Sequence, residues 1–285
     1  DRGRIDDRTL TGSAYQCVKD KVYRNSYLQT AVAAHMIEYH RARRTWHRLV
    51  DRFICLSAFQ KSKLALGGIP ARKCMIKPNF IRDPLPGMPS GSQHAKTYFI
   101  FAGRLSQEKG ILDLAKKWLD LKIEFVLKIA GDGPQRSALE DLAANRRNIV
   151  YMGALSREEL LGNIRSAAAL VLPSRWYEGF PMTIVEALAL GVPVITTNIG
   201  SQNEIISEGF NGYKFDLRDA NQLRRAVYRL GHNPEERHRM GAQARKSYED
   251  NYTPEANYRT LMGIYQNAIE CRSNVQHDNG QRPGR

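Results

Sequence analysis

The chain has 285 residues, 42% of them hydrophobic, with 43 Lys and Arg against 29 Asp and Glu for a formal charge of +14. That apolar share supports a buried core and excludes wholesale disorder, and the length allows two domains or one large α/β unit. No apolar run approaches the roughly 20 residues that cross a bilayer, the cysteines (Cys17, Cys55, Cys74, Cys271) form no Cys-x-x-Cys pair, and the histidines show no metal spacing, which argues against a membrane span, a disulfide framework or a zinc site.

The positive excess sits at the front. From Asp1 to Ala95 there are 17 Lys and Arg against 7 acids, whereas the remainder carries 26 against 22. The natural partners of such a front are anionic: phosphates, an acidic lipid surface or nucleic acid. Between Tyr27 and Val50, Leu28, Ala31, Val32, Met36, Tyr39, Trp46, Leu49 and Val50 recur at mostly helical spacing. Arg41, Arg43, Arg44, Arg48 and Arg52 crowd the far end, either as a solvated helix face or as a patch for anionic lipid or acceptor phosphates. Phe53–Leu56 reads as a strand, and Ser57 as the cap of a helix ending near Gly67-Gly68. Lys73–Lys77 reads as another strand, and the Pro-, Gly- and Ser-rich stretch from Pro84 to Ser92 as a linker.

Beyond it the rhythm is regular. Strands are expected at Tyr98–Ala102, Phe125–Ala130, Ile149–Met152, Ala169–Leu172 and Val192–Thr196. Helices alternate with them near Gly110–Asp120, from Gln135 to about Asn145, from Arg157 to Ala167 and from Met182 to Leu190. This alternation predicts an α/β fold with a doubly wound parallel sheet and a ligand at the carboxyl ends of its strands. Two or three helices close the chain between Ala220 and Cys271, and the polar tail after Arg272 reads as disordered.

Four segments that follow strands are candidates for chemistry. In Gly103-Arg-Leu-Ser-Gln-Glu-Lys-Gly110, Gly103 permits a tight turn, and Arg104 and Lys109 offer a planar fork and a mobile point charge to a diphosphate. Gly131-Asp-Gly-Pro134 reads as a turn with Asp132 capping the next helix, and Tyr151-Met152-Gly153 as a strand end able to flank a nucleobase. The most informative segment is Glu178-Gly-Phe-Pro-Met-Thr-Ile-Val-Glu186, a loop turning into a helix, with Gly179 supplying a turn and Pro181 at the first helical position. A helix start presents unpaired N–H groups to a phosphate, and two acids a little over two helical turns apart can hold hydroxyls on one side of a ligand. No Asp-x-Asp pair is present to hold a divalent ion on a diphosphate.

Together these residues resemble the retaining nucleotide-sugar glycosyltransferases of GT-B fold, glycosyltransferase family 4. The Gly-Arg-(x)4-Lys-Gly loop, the glutamate pair, Gly191-Val-Pro-Val-Ile195 and Gly200-Ser-Gln-Asn-Glu-Ile-Ile206 carry the likeness, with Leu56-Ser-Ala-Phe59 and Lys77-Pro-Asn-Phe80. The resemblance runs from about Cys17 to Cys271. It implies that Arg104 and Lys109 neutralise the donor diphosphate as it leaves, that Glu178 holds hydroxyls of the transferred sugar, and that Glu186 holds the ribose. It also implies that backbone amides near Phe180, Met182 and Thr183 contact phosphate; Gly103, Tyr151 and Met152 join the expected nucleotide-binding set on the reading of their own segments, where a plain strand end explains Tyr151-Met152-Gly153 equally well. Pro181 has no N–H to offer.

The expected organisation is residues 1–92 as the end of an acceptor-side Rossmann-like domain plus linker, residues 93–252 as the donor-binding domain, residues 253–271 as a closing helix and residues 272–285 as a tail. Members of the family begin with a complete Rossmann-like half, so the front is expected to be truncated. Its Gly-rich acceptor loop and histidine have no counterpart here, and His35, His40 and His47 are not substitutes. The expected activity is metal-independent transfer from a UDP- or GDP-sugar to a saccharide or lipid-linked acceptor, with no cofactor, no nucleic acid, a cytoplasmic location and peripheral contact with an anionic inner leaflet. The alternatives are a nucleotide-sugar 2-epimerase, a phosphorylase or a non-catalytic nucleotide-sugar-binding module.

Overall fold

The computed structural model describes residues 7–86 and 97–280, so the linker positions from 87 onward lie outside the described residues. The chain divides into two units, Asp1–Pro78 with Glu255–Arg285, and Asn79–Pro254.

In the first unit, helices α1 (Arg8–Thr11), α2 (Gln16–Lys19), α3 (Tyr27–Ala42) and α4 (Thr45–Leu49) precede strand β1 (Phe53–Cys55), helix α5 (Ala58–Leu66) and strand β2 (Cys74–Ile76). The strands pair in parallel, and Ser57 caps α5 by accepting the Gln60 amide at 3.1 Å. The helical pattern from Tyr27 to Val50 is broken, because Arg44 turns into the left-handed region (φ 51°) between α3 and α4. The arginine cluster divides accordingly. Arg41 is an internal tie, donating to the Gly12 carbonyl at 2.9 Å and to Glu38 at 3.1 Å, whereas Arg43, Arg44 and Arg48 are exposed.

The second unit holds strands β3 (Tyr98–Ala102), β4 (Val126–Ala130), β5 (Ile149–Gly153), β6 (Ala169–Leu172), β7 (Val194–Thr197) and β8 (Gly212–Phe215). Helices α6 (Ile111–Asp120), α7 (Arg136–Ala143), α8 (Arg157–Arg165), α9 (Met182–Ala189), α10 (Gln202–Ile205), α11 (Ala220–His232) and α12 (Pro234–Asn251) connect and cover them. All six strands are parallel, in the order β5-β4-β3-β6-β7-β8. Alternation along each strand feeds two cores. Phe99, Phe101, Leu127, Ile129 and Val171 pack under α6, α7 and α11, and Tyr98, Ile100, Leu170, Leu172 and Val194 under α8, α9 and α12. The layers are therefore helix, sheet, helix. β8 and α10 are additions to the elements read from the sequence, and α13 (Pro254–Gly280) continues past Arg272, into the stretch whose composition reads as disordered. α13 belongs to the first unit from Glu255 onward, tied there by Asn267 accepting from Arg52 Nε at 2.8 Å.

A short strap, residues 81–85, lies along α12. The Ile81 amide donates to the Tyr252 carbonyl at 3.2 Å, and Arg245 forks onto the Asp83 carboxylate while donating to the Ala189 carbonyl at 2.6 Å. The Arg245 guanidinium holds the Asp83 carboxyl below its ordinary range, against the opposing effect of burial. A depressed carboxylate stabilises the fold above its unfolded pKa, and that stability is lost as pH falls through the folded value. Asp83→Asn is therefore expected to cost about 1–2 kcal/mol at neutral pH, the scale of a charge-assisted bond on a half-exposed pair. In urea unfolding, the gap between variant and parent should close as the pH falls into that depressed range.

Candidate active site

β3 and β6 are neighbours at the centre of the sheet, but their following helices diverge: α6 packs on one face and α9 on the other. A parallel sheet opens a crevice at the carboxyl edge where the connections part in this way. The loops leaving β3 and β6 carry the residues that the sequence singles out.

The loop after β3 is held by close backbone approach. A Cβ on Gly131 would stand 1.9 Å from the Gly103 carbonyl oxygen, and Gly131 has φ 138°. The Leu105 amide donates to the Asp132 carbonyl at 2.9 Å. Proximity therefore explains the Gly-Asp-Gly segment, and Asp132 does not cap α7: Gln135 occupies the N-cap, and the Asp132 carboxylate accepts from the Gly133 amide at 2.8 Å. At the other end of the loop Gly110 (φ 71°) presses against the Pro173 carbonyl oxygen, which an added Cβ would meet at 2.4 Å. That contact joins the β3 loop to the β6 loop. Arg104 is exposed on its loop, and Lys109 lies at the junction.

Glu178 is fixed from three sides. Lys109 Nζ donates to its Oε1 at 2.7 Å, Ser174 Oγ donates to the same oxygen at 2.7 Å, and Ser201 Oγ donates to its backbone carbonyl at 2.7 Å. Behind it, Thr197 Oγ1 donates to the Ser174 carbonyl at 2.7 Å and itself accepts from the buried Gln202 amide. Arg175 anchors the loop through its amide on the Glu108 carbonyl (2.9 Å) and its guanidinium on Asp113 (2.7 Å). Ser174, Thr197, Ser201 and Gln202 carry no motif signal of their own. Ser201 and Gln202 nevertheless fall within the Gly200–Ile206 segment that the resemblance marks.

Two details of the loop-to-helix turn differ from the sequence expectation. Pro181 is the N-cap, in extended conformation (φ −75°, ψ 99°), and α9 begins at Met182. Gly179 keeps out of the left-handed region, so no steric need for glycine appears there. The amides of Met182 and Thr183 open the first turn, where backbone donors have no intrahelical acceptor. The Phe180 ring packs edge-on against Tyr252 at 5.9 Å between centroids.

Glu186 lies one turn into α9 with its side chain 15% exposed, 3.5 Å from Arg157 at the start of α8. Burial pushes its carboxyl above the ordinary range, and Arg157 opposes that shift. On β5, at the sheet's edge, Tyr151 donates to the Gly131 carbonyl at 3.2 Å and Met152 stands half-buried beside it. The structure thus brings Lys109 and Glu178 into contact and places Gly103, Arg104, Tyr151, Met152, Phe180, Met182 and Thr183 on elements at the same carboxyl edge. Among the described residues no three His, Cys, Asp or Glu side chains gather as metal ligands.

Residues 89–247 match the family model for glycosyl transferases group 1. The chain belongs to this family. An uncharacterised glycosyltransferase of Methanocaldococcus jannaschii is 29% identical over 198 residues, covering 69% of this chain and 54% of the relative. A glycogen synthase of Mycobacterium tuberculosis is 35% identical over 153 residues, covering 52% of this chain and 37% of the relative. The chain therefore spans about half or less of these two relatives' lengths. Among solved structures, Anabaena HepE in complex with UDP-glucose superposes with a TM-score of 0.66 at 16% identity, covering 92% of this chain and 71% of that one. That likeness establishes the GT-B fold expected from the sequence. No described helix is long and apolar enough to cross a membrane.

Proposed function

We propose that the protein transfers a sugar from a nucleoside diphosphate donor to a saccharide or lipid-linked acceptor, with retained anomeric configuration and without a metal ion. The observation that carries the reading is the 2.7 Å contact between Lys109 and Glu178 across the two loops that flank the β3–β6 crevice. It puts a mobile cation, a fixed carboxylate and the start of α9 within one short stretch of the sheet edge.

In this reading the donor diphosphate lies over the first turn of α9, where the Met182 and Thr183 amides and the positive end of the helix receive it. Arg104 and Lys109 stabilise the negative charge that develops on the leaving diphosphate, a task that cations positioned beside it perform without proton transfer. Glu178, steadied by Ser174 and Ser201, accepts hydrogen bonds from the transferred sugar. Glu186 accepts from the ribose, and the end of β5 at Tyr151 and Met152 borders the base. The UDP-glucose complex of HepE supports a nucleotide-sugar donor, and the sugar-transferring relatives support the reaction class.

A thermal-shift screen of UDP, GDP and their sugars tests the donor assignment. A nucleotide at about 100 times its dissociation constant should add roughly 2.7 kcal/mol of stability, and no shift with any of them would refute the reading. The raised Glu186 carboxyl adds a pH signature. Because its folded pKa lies above the unfolded one, its contribution to stability is full below the unfolded value and is lost as pH rises through the folded value. Ribose binding uses the ionised form, so nucleotide affinity should rise over that same window. Glu186→Gln should weaken binding and flatten the profile in isothermal titration calorimetry.

A further inference from the structure

Glu186 has one ionic partner among the described residues, Arg157, whose own side chain is 69% exposed. The backbone that carries Arg157 is fixed. Ser156 and Glu159 form a reciprocal capping box on α8, with the Glu159 carboxylate accepting the Ser156 amide at 2.9 Å and hydroxyl at 2.7 Å. Glu159 is thereby occupied, and Glu186 is the acid to which Arg157 reaches.

Arg245 and Tyr248, on α12 beside α9, have partners of their own. On α12, Arg245 is held by Asp83, Glu249 and the Ala189 carbonyl, and the Tyr248 hydroxyl donates to the Ile81 carbonyl. β7, with the sequence Val-Ile-Thr-Thr, brings no titratable side chain. From the strap, Arg82 and Asp83 line a cavity of about 470 Å³ together with Phe80, Leu161 and Arg157 itself.

We propose that Arg157 is the positioning residue of the ribose subsite: from 3.5 Å away it keeps the Glu186 carboxylate ionised and held in place to accept the ribose hydroxyls. The inference rests on the reading of Glu186 as the ribose ligand. An ionised carboxylate offers acceptors only, which suits two hydroxyl donors, whereas a protonated one spends an oxygen as a donor. Burial favours the protonated form, and Arg157 is the charge that opposes it.

The test is calorimetric titration of the intact chain with UDP and with GDP, across about pH 5 to 8. Arg157→Gln should weaken binding about threefold to tenfold at the acid end, should lose that deficit at the alkaline end, and should move the midpoint of the profile upward. Arg157→Lys should restore the midpoint. In a Glu186→Gln background, Arg157→Gln should add nothing. An Arg157→Gln variant with parental affinity and midpoint, beside a weakened Glu186→Gln, would overturn the proposal. So would a fall in melting temperature with no displacement of the midpoint, which marks a merely structural role. If Glu186→Gln binds as the parent does, the ribose reading itself fails.

Discussion

Replacing Arg104 and Lys109 together by alanine is expected to weaken binding of UDP and GDP by about 10²- to 10³-fold. Each cation supplies a charge-assisted bond to a phosphate oxygen, worth about 1.5–3 kcal/mol, and Arg104 belongs at the low end because it is exposed. The two singles should differ in kind. Arg104→Ala removes a charge and leaves the loop intact, since the backbone of that loop is held by Gly131 and Asp132. Lys109→Ala also leaves Glu178 with only the Ser174 hydroxyl on Oε1, so it should impair sugar-nucleotide binding more than binding of the bare nucleotide. Parallel calorimetry with UDP and UDP-glucose separates these effects. Equal losses for both ligands would show that Lys109 does not steady Glu178. Arg104 is exposed, so Arg104→Ala should leave the melting temperature nearly unchanged, whereas Lys109→Ala removes the ionic partner of the mostly buried Glu178 carboxylate and should lower it.

Gly131→Ala should be the most damaging single methyl group in the second unit, at about 3 kcal/mol or more. The added Cβ would stand 1.9 Å from the Gly103 carbonyl oxygen, and both partners are backbone at the ends of paired strands, so neither can rotate away. Relief requires β3 and β4 to part, and their separation shifts Arg104. Gly153→Ala is the matched control. It has φ 73° but nothing within 4 Å of its Cβ position, so it bears only the left-handed backbone cost of about 1–2 kcal/mol. Urea unfolding of the two variants should show this difference, with nucleotide affinity falling further in Gly131→Ala. Equal destabilisation would mean that the carbonyl contact does not constrain the site.

The parts of this fold legible in the sequence are those where one physical demand dominates. Tyr98–Ala102 matches β3 residue for residue because a central parallel strand is buried on both faces and must be continuously apolar. β8 escaped because it is an edge strand with a lysine, and it opens on a glycine whose absent side chain lets the Val194 carbonyl approach. The break between α3 and α4 depends on Arg44 at positive φ, which residue type does not announce. At the site, Arg104, Lys109 and Glu178 were legible as charges in the loops that follow strands, and Glu186 as an acid on the helix that the last of these loops enters. Their supports were not. Ser174, Thr197 and Ser201 act through single hydroxyls whose partners come from other loops, and Arg157 reads only as the start of a helix until folding sets it against Glu186.

The most direct test of the whole account is the structure of this chain crystallised with UDP or GDP. The diphosphate should lie within hydrogen-bonding reach of Arg104, Lys109 and the Met182 and Thr183 amides, with the ribose hydroxyls on Glu186. A well-ordered nucleotide bound elsewhere, with that crevice left to solvent, would contradict it.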